Sequence, residues 1–299
     1  MTKGKKKKIT GKDAVFNVLN YTSMLILMFV CIYPLYYVFI YSISDADMAS
    51  KGLTFLPKGV TLENYKRVLA LDGIPSALWV SVARTVVGAA LTTICSAFVG
   101  YLFTKPMYFR KFFYRMLVIT MYVNAGVIPY YMFMKTYGLL NTFWVYVIPT
   151  AVGAYDIILC KTFIENLPPS LEESARLDGA GYMTVFLKIV LPLSKAIVAS
   201  IVVFSAVGQW NSWTDNYMYV NNEKLNTLQL ILYNFLNEST RLAKMVEELG
   251  DYSMMERYNF TPMAVRMTIT MLVVTPILCV YPFMQKYCVK GVMIGAVKG

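Results

Sequence analysis

The sequence predicts an all-α integral membrane protein with six transmembrane helices, on three observations. First, the 299-residue chain is 57% hydrophobic and only 15% charged, whereas soluble domains carry about 25% charged residues. Its mean hydropathy is +0.52. So apolar a chain is neither disordered nor able to bury all its apolar surface in one soluble core. Second, six charge-free runs span 14–44, 85–104, 116–134, 136–155, 196–214 and 267–285. A helix of about 20 apolar residues crosses the hydrocarbon layer. Third, the basic residues fall mainly on alternate sides of these runs, as the positive-inside rule requires.

The first run follows Lys3, Lys5, Lys6, Lys7, Lys8 and Lys12. A basic start with an apolar stretch resembles a signal peptide, but the stretch is about twice the usual length and no A-x-A site closes it. A retained first membrane helix is expected. With the N-terminus in the cytoplasm, six crossings return the C-terminus there. The inner segments then hold 17 of the 28 Lys and Arg residues and the outer segments hold 9. The net charge of +11 is therefore read as a membrane-flanking charge, not a nucleic-acid surface. The layout is a basic cytoplasmic segment (1–17), a membrane domain (18–287) with outer loops 42–75 and 213–262, and a cytoplasmic tail (288–299). The second outer loop is acidic, with Asp215, Glu223, Glu238, Glu247, Glu248, Asp251 and Glu256. The run 225–237 is too short to cross and is left as a surface or re-entrant piece.

Breaks punctuate the spans at Pro34, at Gly126 with Pro129, at Pro149 with Gly153, and at Pro276. Such breaks survive in a membrane where neighbouring protein or water satisfies the freed backbone groups.

Several chemistries are excluded. The chain has no histidine, which removes histidine-based triads, HExxH zinc sites and any histidine general base. No metal site is expected. Five cysteines, Cys31, Cys95, Cys160, Cys279 and Cys288, follow no C-x-x-C spacing and read as small buried hydrophobes. No G-x-x-x-x-G-K-[ST] occurs, so the chain has no phosphate-binding loop of its own.

The most informative stretch is 166–195, NLPPSLEESARLDGAGYMTVFLKIVLPLSK. Pro168 and Pro169 stop the fourth span. Ser170 stands three residues before Glu173, a capping-box spacing, and Glu172 and Glu173 sit at the positive end of a helix dipole. These signals predict a helix over 171–178, ended by Gly179 at positive φ, then a second helix over 182–190 leading to Pro192. The element 166–192 is thus a helix-turn-helix on the inner face, tied at both ends to membrane helices.

At this point the chain resembles a known family. Glu173-Ser174-Ala175, Asp178-Gly179-Ala180, Phe186, Ile189, Leu191 and Pro192 are similar to the EAA motif of bacterial ABC-importer permeases. The stretch from Phe204 to Trp213, the segment Leu228 to Leu232 and the tail from Tyr287 to Gly299 resemble the carbohydrate-uptake branch related to the second maltose-type permease subunit, within its complex-oligosaccharide group. Ser174 replaces the middle alanine, and Ala196 stands where a proline is common.

The resemblance implies the type I importer permease fold, with 171–190 as the coupling helix. Glu172, Glu173, Ala175, Asp178, Gly179 and Ala180 would meet a cytoplasmic ATPase. Two such ATPase subunits would carry ATP and Mg, this chain binding no cofactor and being no enzyme itself. A second permease subunit would complete the pore, and an extracellular or lipid-anchored solute-binding protein would deliver a sugar or oligosaccharide. Trp210, Asn211 and Trp213 offer aromatic faces and amides suited to sugars, although Trp also gathers at membrane interfaces. Asn124 is a further candidate for the path. Asp156 and Arg84 are ionisable groups within spans, which must face protein or water; structural pairing and cargo contact both remain open for them. Arg266 is expected to snorkel to the outer interface. An amino acid or peptide cargo, or a channel or carrier working without ATP, stays as the alternative.

Overall fold

A computed structural model describes residues 11–50, 52, 55–123, 125–237 and 262–296. Asn124, Lys3 to Lys8, the acidic residues from Glu238 to Glu256 and the last three residues of the tail lie outside the described residues. Every regular element among the described residues is helical. The chain divides into two units, Met1–Val68 with Ala243–Met271, and Leu69–Leu242 with Leu272–Gly299.

In the first unit, α1 (Gly11–Ser42) is a long apolar helix carrying Pro34. From Val15 to Ile32 its large apolar side chains are exposed, the surface of a helix that meets lipid or another chain instead of its own. The following loop is folded. Asp45 caps α2 (Ala46–Ser50) by accepting from the N–H groups of Asp47 at 3.0 Å and Met48 at 3.1 Å. Asn64, buried on α3 (Glu63–Leu69), donates through Nδ2 to the carbonyls of Ser42 at 3.1 Å and Ser44 at 2.7 Å. Tyr41, Ala49 and Ala264 form a small core beside these turns. Part of the 42–75 loop is therefore built structure and not a solvated linker.

The second unit is organised around α4 (Ile74–Leu102), which begins with Pro75 in its first turn. It packs against α7 (Ala154–Glu165) and α11 (Lys195–Asn211). The approach to α7 needs Gly100, where a Cβ would lie 2.7 Å from Cys160 Cβ and 3.1 Å from the Ile157 carbonyl. Small residues let membrane helices approach this closely.

The six charge-free runs do not become six unbroken helices. Among the described residues, three helical stretches are long and apolar enough to cross a membrane, Val15–Ser42, Ile74–Leu102 and Met263–Pro282, the last within the helix Pro262–Ala296. A fourth is reached if Tyr182–Leu193 and Lys195–Asn211, bent by 81°, count as one. Run 116–134 splits into α5 (Arg110–Thr120) and α6 (Val127–Thr136), separated before Gly126 at φ 79°. Run 136–155 begins as a 3-10 turn (Phe143–Tyr146) and reaches α7 only after Pro149 and Gly153. Gly126, and Pro149 with Gly153, interrupt the helices, whereas Pro34 and Pro276 lie within continuous ones. Cys160 is buried, but Cys31 and Cys279 are exposed, because they lie on outward faces of apolar helices. Hydrophobic surroundings in sequence do not distinguish a core from a lipid-facing surface.

Candidate functional site

The segment after α7 forms the predicted helix-turn-helix. Its first helix, α8 (Pro169–Leu177), starts earlier than the capping-box spacing implied. Pro168 is the N-cap, no side chain caps it, and Ser170 lies inside the first turn. Pro169, with φ preset and no N–H to satisfy, starts the helix on its own. The C-terminus matches the sequence reading. Gly179 has φ 82°, its N–H donates to the Arg176 carbonyl at 3.0 Å, and the Ala180 N–H donates to the Ala175 carbonyl at 2.9 Å. This is the Schellman pattern. Ala175 and Ala180, which such a pattern brings together, both pack on the underlying core.

The second arm is less regular than predicted. α9 (Tyr182–Val185) passes into a π-turn (Phe186–Val190), in which the Leu191 N–H reaches back to the Phe186 carbonyl, and then into α10 (Leu191–Leu193). Pro192 sits directly after the π-turn, where a proline inside a helix would otherwise forfeit an α-type bond.

The knob is fixed to the second unit in two ways. Val185, Phe186 and Val190 join Ala97 and Tyr101 of α4, Cys160 and Ile164 of α7, and Ile197 and Ile201 of α11 in one apolar cluster. A polar tie lies beside it: Lys105 pairs with the Glu172 carboxylate and lies 4.3 Å over the Tyr101 ring, while the Tyr101 hydroxyl donates to the Tyr182 carbonyl at 3.1 Å. Glu172 therefore faces inward. Glu173, Ser174, Leu177, Asp178 and Gly179 are exposed, and Leu177 is 89% exposed. A Cβ at Gly179 would meet nothing within 4 Å, so its own chain leaves the tip open. Arg176 stands 4.1 Å over the Tyr182 ring, and bonding to Tyr182 pushes its pKa further up.

A second polar centre lies at the other end of α4 and α11. Arg84 is 1% exposed. Its Nε donates to Gln209 Oε1 at 3.2 Å, its Nη1 to the Ser212 carbonyl at 3.1 Å, and its Nη2 pairs with Asp215 at the start of α12 (Thr214–Tyr219). The guanidinium also lies 4.5 Å from the Tyr146 ring. Gln209 continues the network, donating to the Tyr146 carbonyl at 3.1 Å and Thr150 Oγ1 at 2.7 Å. Gly88 makes room for it, since a Cβ there would lie 2.6 Å from the Gln209 side chain. The Asn216 side chain accepts from the Thr227 N–H at 2.7 Å, and Ser81 from the Leu228 N–H at 2.9 Å. This docks the helix over 228–237, the short run left open by the sequence, onto α4.

The expected path residues divide accordingly. Arg84 lies inside α4, and its donors are taken by its own chain. Trp210 is buried, and its indole N–H donates to the Val273 carbonyl at 2.9 Å, in the turn before Pro276. It also lines an apolar pocket of about 170 Å³ with Val82, Val86, Val207 and Ile277, whose walls offer a sugar few hydrogen-bonding groups. Trp213 stacks on Tyr233 with centroids 3.8 Å apart and meets the edge of Tyr217. Asn211 is exposed beside it. Asp156 lies in the first turn of α7, close to Gly153, where a carboxylate suits the helix dipole. Arg84 and Asp156 do not pair. Sequence reasoning missed Lys105, Tyr101, Asp215, Gln209 and Leu177. The insertion cost of Arg84 was the one signal that demanded a partner such as Asp215.

Comparison with known proteins resolves the family. The polygalacturonan/rhamnogalacturonan transport system permease protein YtcP of Bacillus subtilis is 32% identical over 290 residues, covering 96% of this chain and 100% of that protein. The chain belongs to the permease family of ABC importers. It is thus an integral membrane protein and a transporter subunit. Protein LplC of the same organism is also 32% identical to this permease, over 294 residues and 97% of both chains. The sn-glycerol-3-phosphate transport system permease protein UgpE of Brucella abortus is 26% identical over 293 residues, covering 93% of this chain and 96% of that protein. The crystal structure of a bacterial ABC transporter involved in the import of the acidic polysaccharide alginate matches with a TM-score of 0.84 at 27% identity, over 94% of this permease and 99% of that chain. No protein-family model matches the chain.

Proposed function

We propose that this permease forms half of a translocation pore for a sugar or oligosaccharide. The named cargoes of its relatives, polygalacturonan/rhamnogalacturonan and alginate, support that choice. A second permease subunit completes the pore, and an extracellular solute-binding protein delivers the cargo. Two cytoplasmic ATPase subunits supply ATP hydrolysis with Mg, and this chain contributes no catalytic group. Six crossings place both termini in the cytoplasm, with α5 and α6 as one interrupted crossing and the 3-10 turn with α7 as another.

The observation that carries the reading is the knob. A short helix with a fixed end, an open tip and a base packed on α4, α7 and α11 is shaped to pass a push from a cytoplasmic partner to membrane helices. Glu173, Ala175, Asp178, Gly179 and Ala180 form or support the docking face, while Glu172 holds the knob to Lys105. ATP binding and hydrolysis then shift the helices between packed arrangements. Asn211 and Trp213 are the cargo contacts we favour, since an amide and aromatic faces match sugar hydroxyls and C–H faces. Trp210 and Arg84 hold the frame around them, and Asp156 and Asn124 are further path candidates.

Gly179→Asp in the complete importer tests this. No neighbour in the chain opposes the new side chain, and the strain of a side chain at positive φ is shared by Gly179→Asn, the neutral control. Membrane insertion should be retained in both, while ATP-driven uptake falls at least tenfold in the aspartate variant alone. Wild-type uptake in that variant would contradict the coupling role.

A further inference from the structure

α5 presents an unpaired basic surface framed by aromatic rings. None of its side chains is buried. Its ring contacts with the rest of the second unit run through Tyr114, which meets the edge of Phe103 at 5.7 Å and lies beneath Lys161 at 4.8 Å. Arg110, Lys111 and Arg115 are exposed, and none has a carboxylate partner among the described residues. In this the trio differs from Lys105, Lys161 and Arg84, whose charges are paired. At 3.6 residues per turn the three cations share one arc of about 140°, and Phe112, Phe113, Met116 and Ile119, all exposed, occupy the arc opposite. Helical side chains lean toward the N-terminus, so Arg115 reaches back toward Lys111 one turn earlier. Just before the helix, Tyr108 is 90% exposed and Phe109 is 77% exposed. Phe109 holds φ 57°, a conformation that costs a non-glycine residue energy, and its ring enters no core.

We propose that the start of α5 binds an anionic phospholipid of the inner leaflet, with Arg110, Lys111 and Arg115 on its headgroup phosphate and the exposed phenylalanines along its acyl chains. Two chemistries at one depth choose this occupant. Unpaired cations call for an anion, and arginine suits phosphate oxygens because its donors can bond two of them at once. The rings beside them call for hydrocarbon, as aromatic residues do at the edge of a membrane. A phospholipid carries both groups on one molecule. A free phosphate would answer only the cations, and an acidic protein surface would leave the rings in water. Basic surfaces on the cytoplasmic side of membrane helices attract acidic headgroups in this way. The lipid would hold the half of an interrupted crossing that side-chain packing leaves loose. The site needs α5 to begin at the inner leaflet; neither the cargo nor the ATPase contact at the knob enters it.

Photoreactive lipids in nanodiscs holding the complete importer test this, with adducts mapped to residues 108–120. Phosphatidylglycerol should label that peptide at least tenfold more than phosphatidylcholine bearing the same photoreactive chain. Each basic residue at such a surface contributes roughly fivefold, so the triple variant Arg110→Gln, Lys111→Gln, Arg115→Gln should lose the preference. Arg110→Lys with Arg115→Lys keeps the charge that orients the helix, and should retain labelling within about threefold of wild type, since Lys also attracts the headgroup. Lys188→Gln with Lys195→Gln removes two exposed cations elsewhere on the inner side and should change nothing. Equal labelling by the two lipids, loss of preference in the Lys188 and Lys195 variant, or an unaltered preference in the triple variant would overturn the proposal. So would exclusion of both lipids from the peptide, which would mean that a protein covers this face. Displacement by inorganic phosphate beyond that by chloride at equal ionic strength would assign the cations to a free anion and overturn it as well.

Discussion

The two ends of the α4–α11 pair are held by opposite means. At the Arg84 end, a fully buried guanidinium is bonded by Gln209, Ser212 and Asp215 and covered by Tyr146. At the knob end, aliphatic and aromatic side chains do most of the joining, with one largely buried Lys105–Glu172 pair at the margin. A saturated charged network admits one arrangement, because every alternative strands a buried charge. An apolar contact is non-directional and tolerates small slides. The difference teaches that the Arg84 end acts as the fixed frame of the second unit and the knob end as its compliant one.

Variants can break this contrast. The largest effect should come from Asp215→Ala, which leaves Arg84 buried without its counter-charge. Removing one partner of a buried pair costs about 3–5 kcal/mol, enough to lower the midpoint of thermal aggregation in detergent severely. A midpoint within two degrees or so of wild type would show that the network is dispensable. Next, Gly88→Ala forces the Gln209 side chain to move and should cost about 1–3 kcal/mol through overpacking, read in the same assay. The mildest loss of stability belongs to Glu172→Gln. Its pair is somewhat less buried, with side-chain exposures of 12% and 25% against 1% and 19% for Arg84 and Asp215. Glutamine keeps an acceptor for Lys105, so the loss should be about 1 kcal/mol, below that of an unpaired buried charge. A drop there as large as that of Asp215→Ala would erase the distinction between the ends.

Much of this was legible in the sequence where the determinants are local. Gly179 ends its helix because only a residue tolerant of positive φ fits there, and Pro168 and Pro169 mark where the knob begins. Ser170 misled for the same local reason: a proline at the first helical position supplanted the hydroxyl cap. The hub was illegible because Arg84 and Asp215 are 131 residues apart, and nothing near either names the other. The span count read from charge-free runs overstated helix continuity, since hydropathy is indifferent to whether Gly126 or Pro149 interrupts the backbone. Trp210 offered the right chemistry for sugar, but its N–H is engaged by Val273, a role visible only once the helices are packed.

The most direct test of the central claim is site-specific cross-linking from the tip. A photoreactive side chain at Leu177, in the complete importer within its native membrane, should form a covalent adduct with the ATPase subunit whose yield changes between nucleotide-free and ATP-trapped states. An adduct confined to lipid or to the permease itself, in every nucleotide state, would contradict the account.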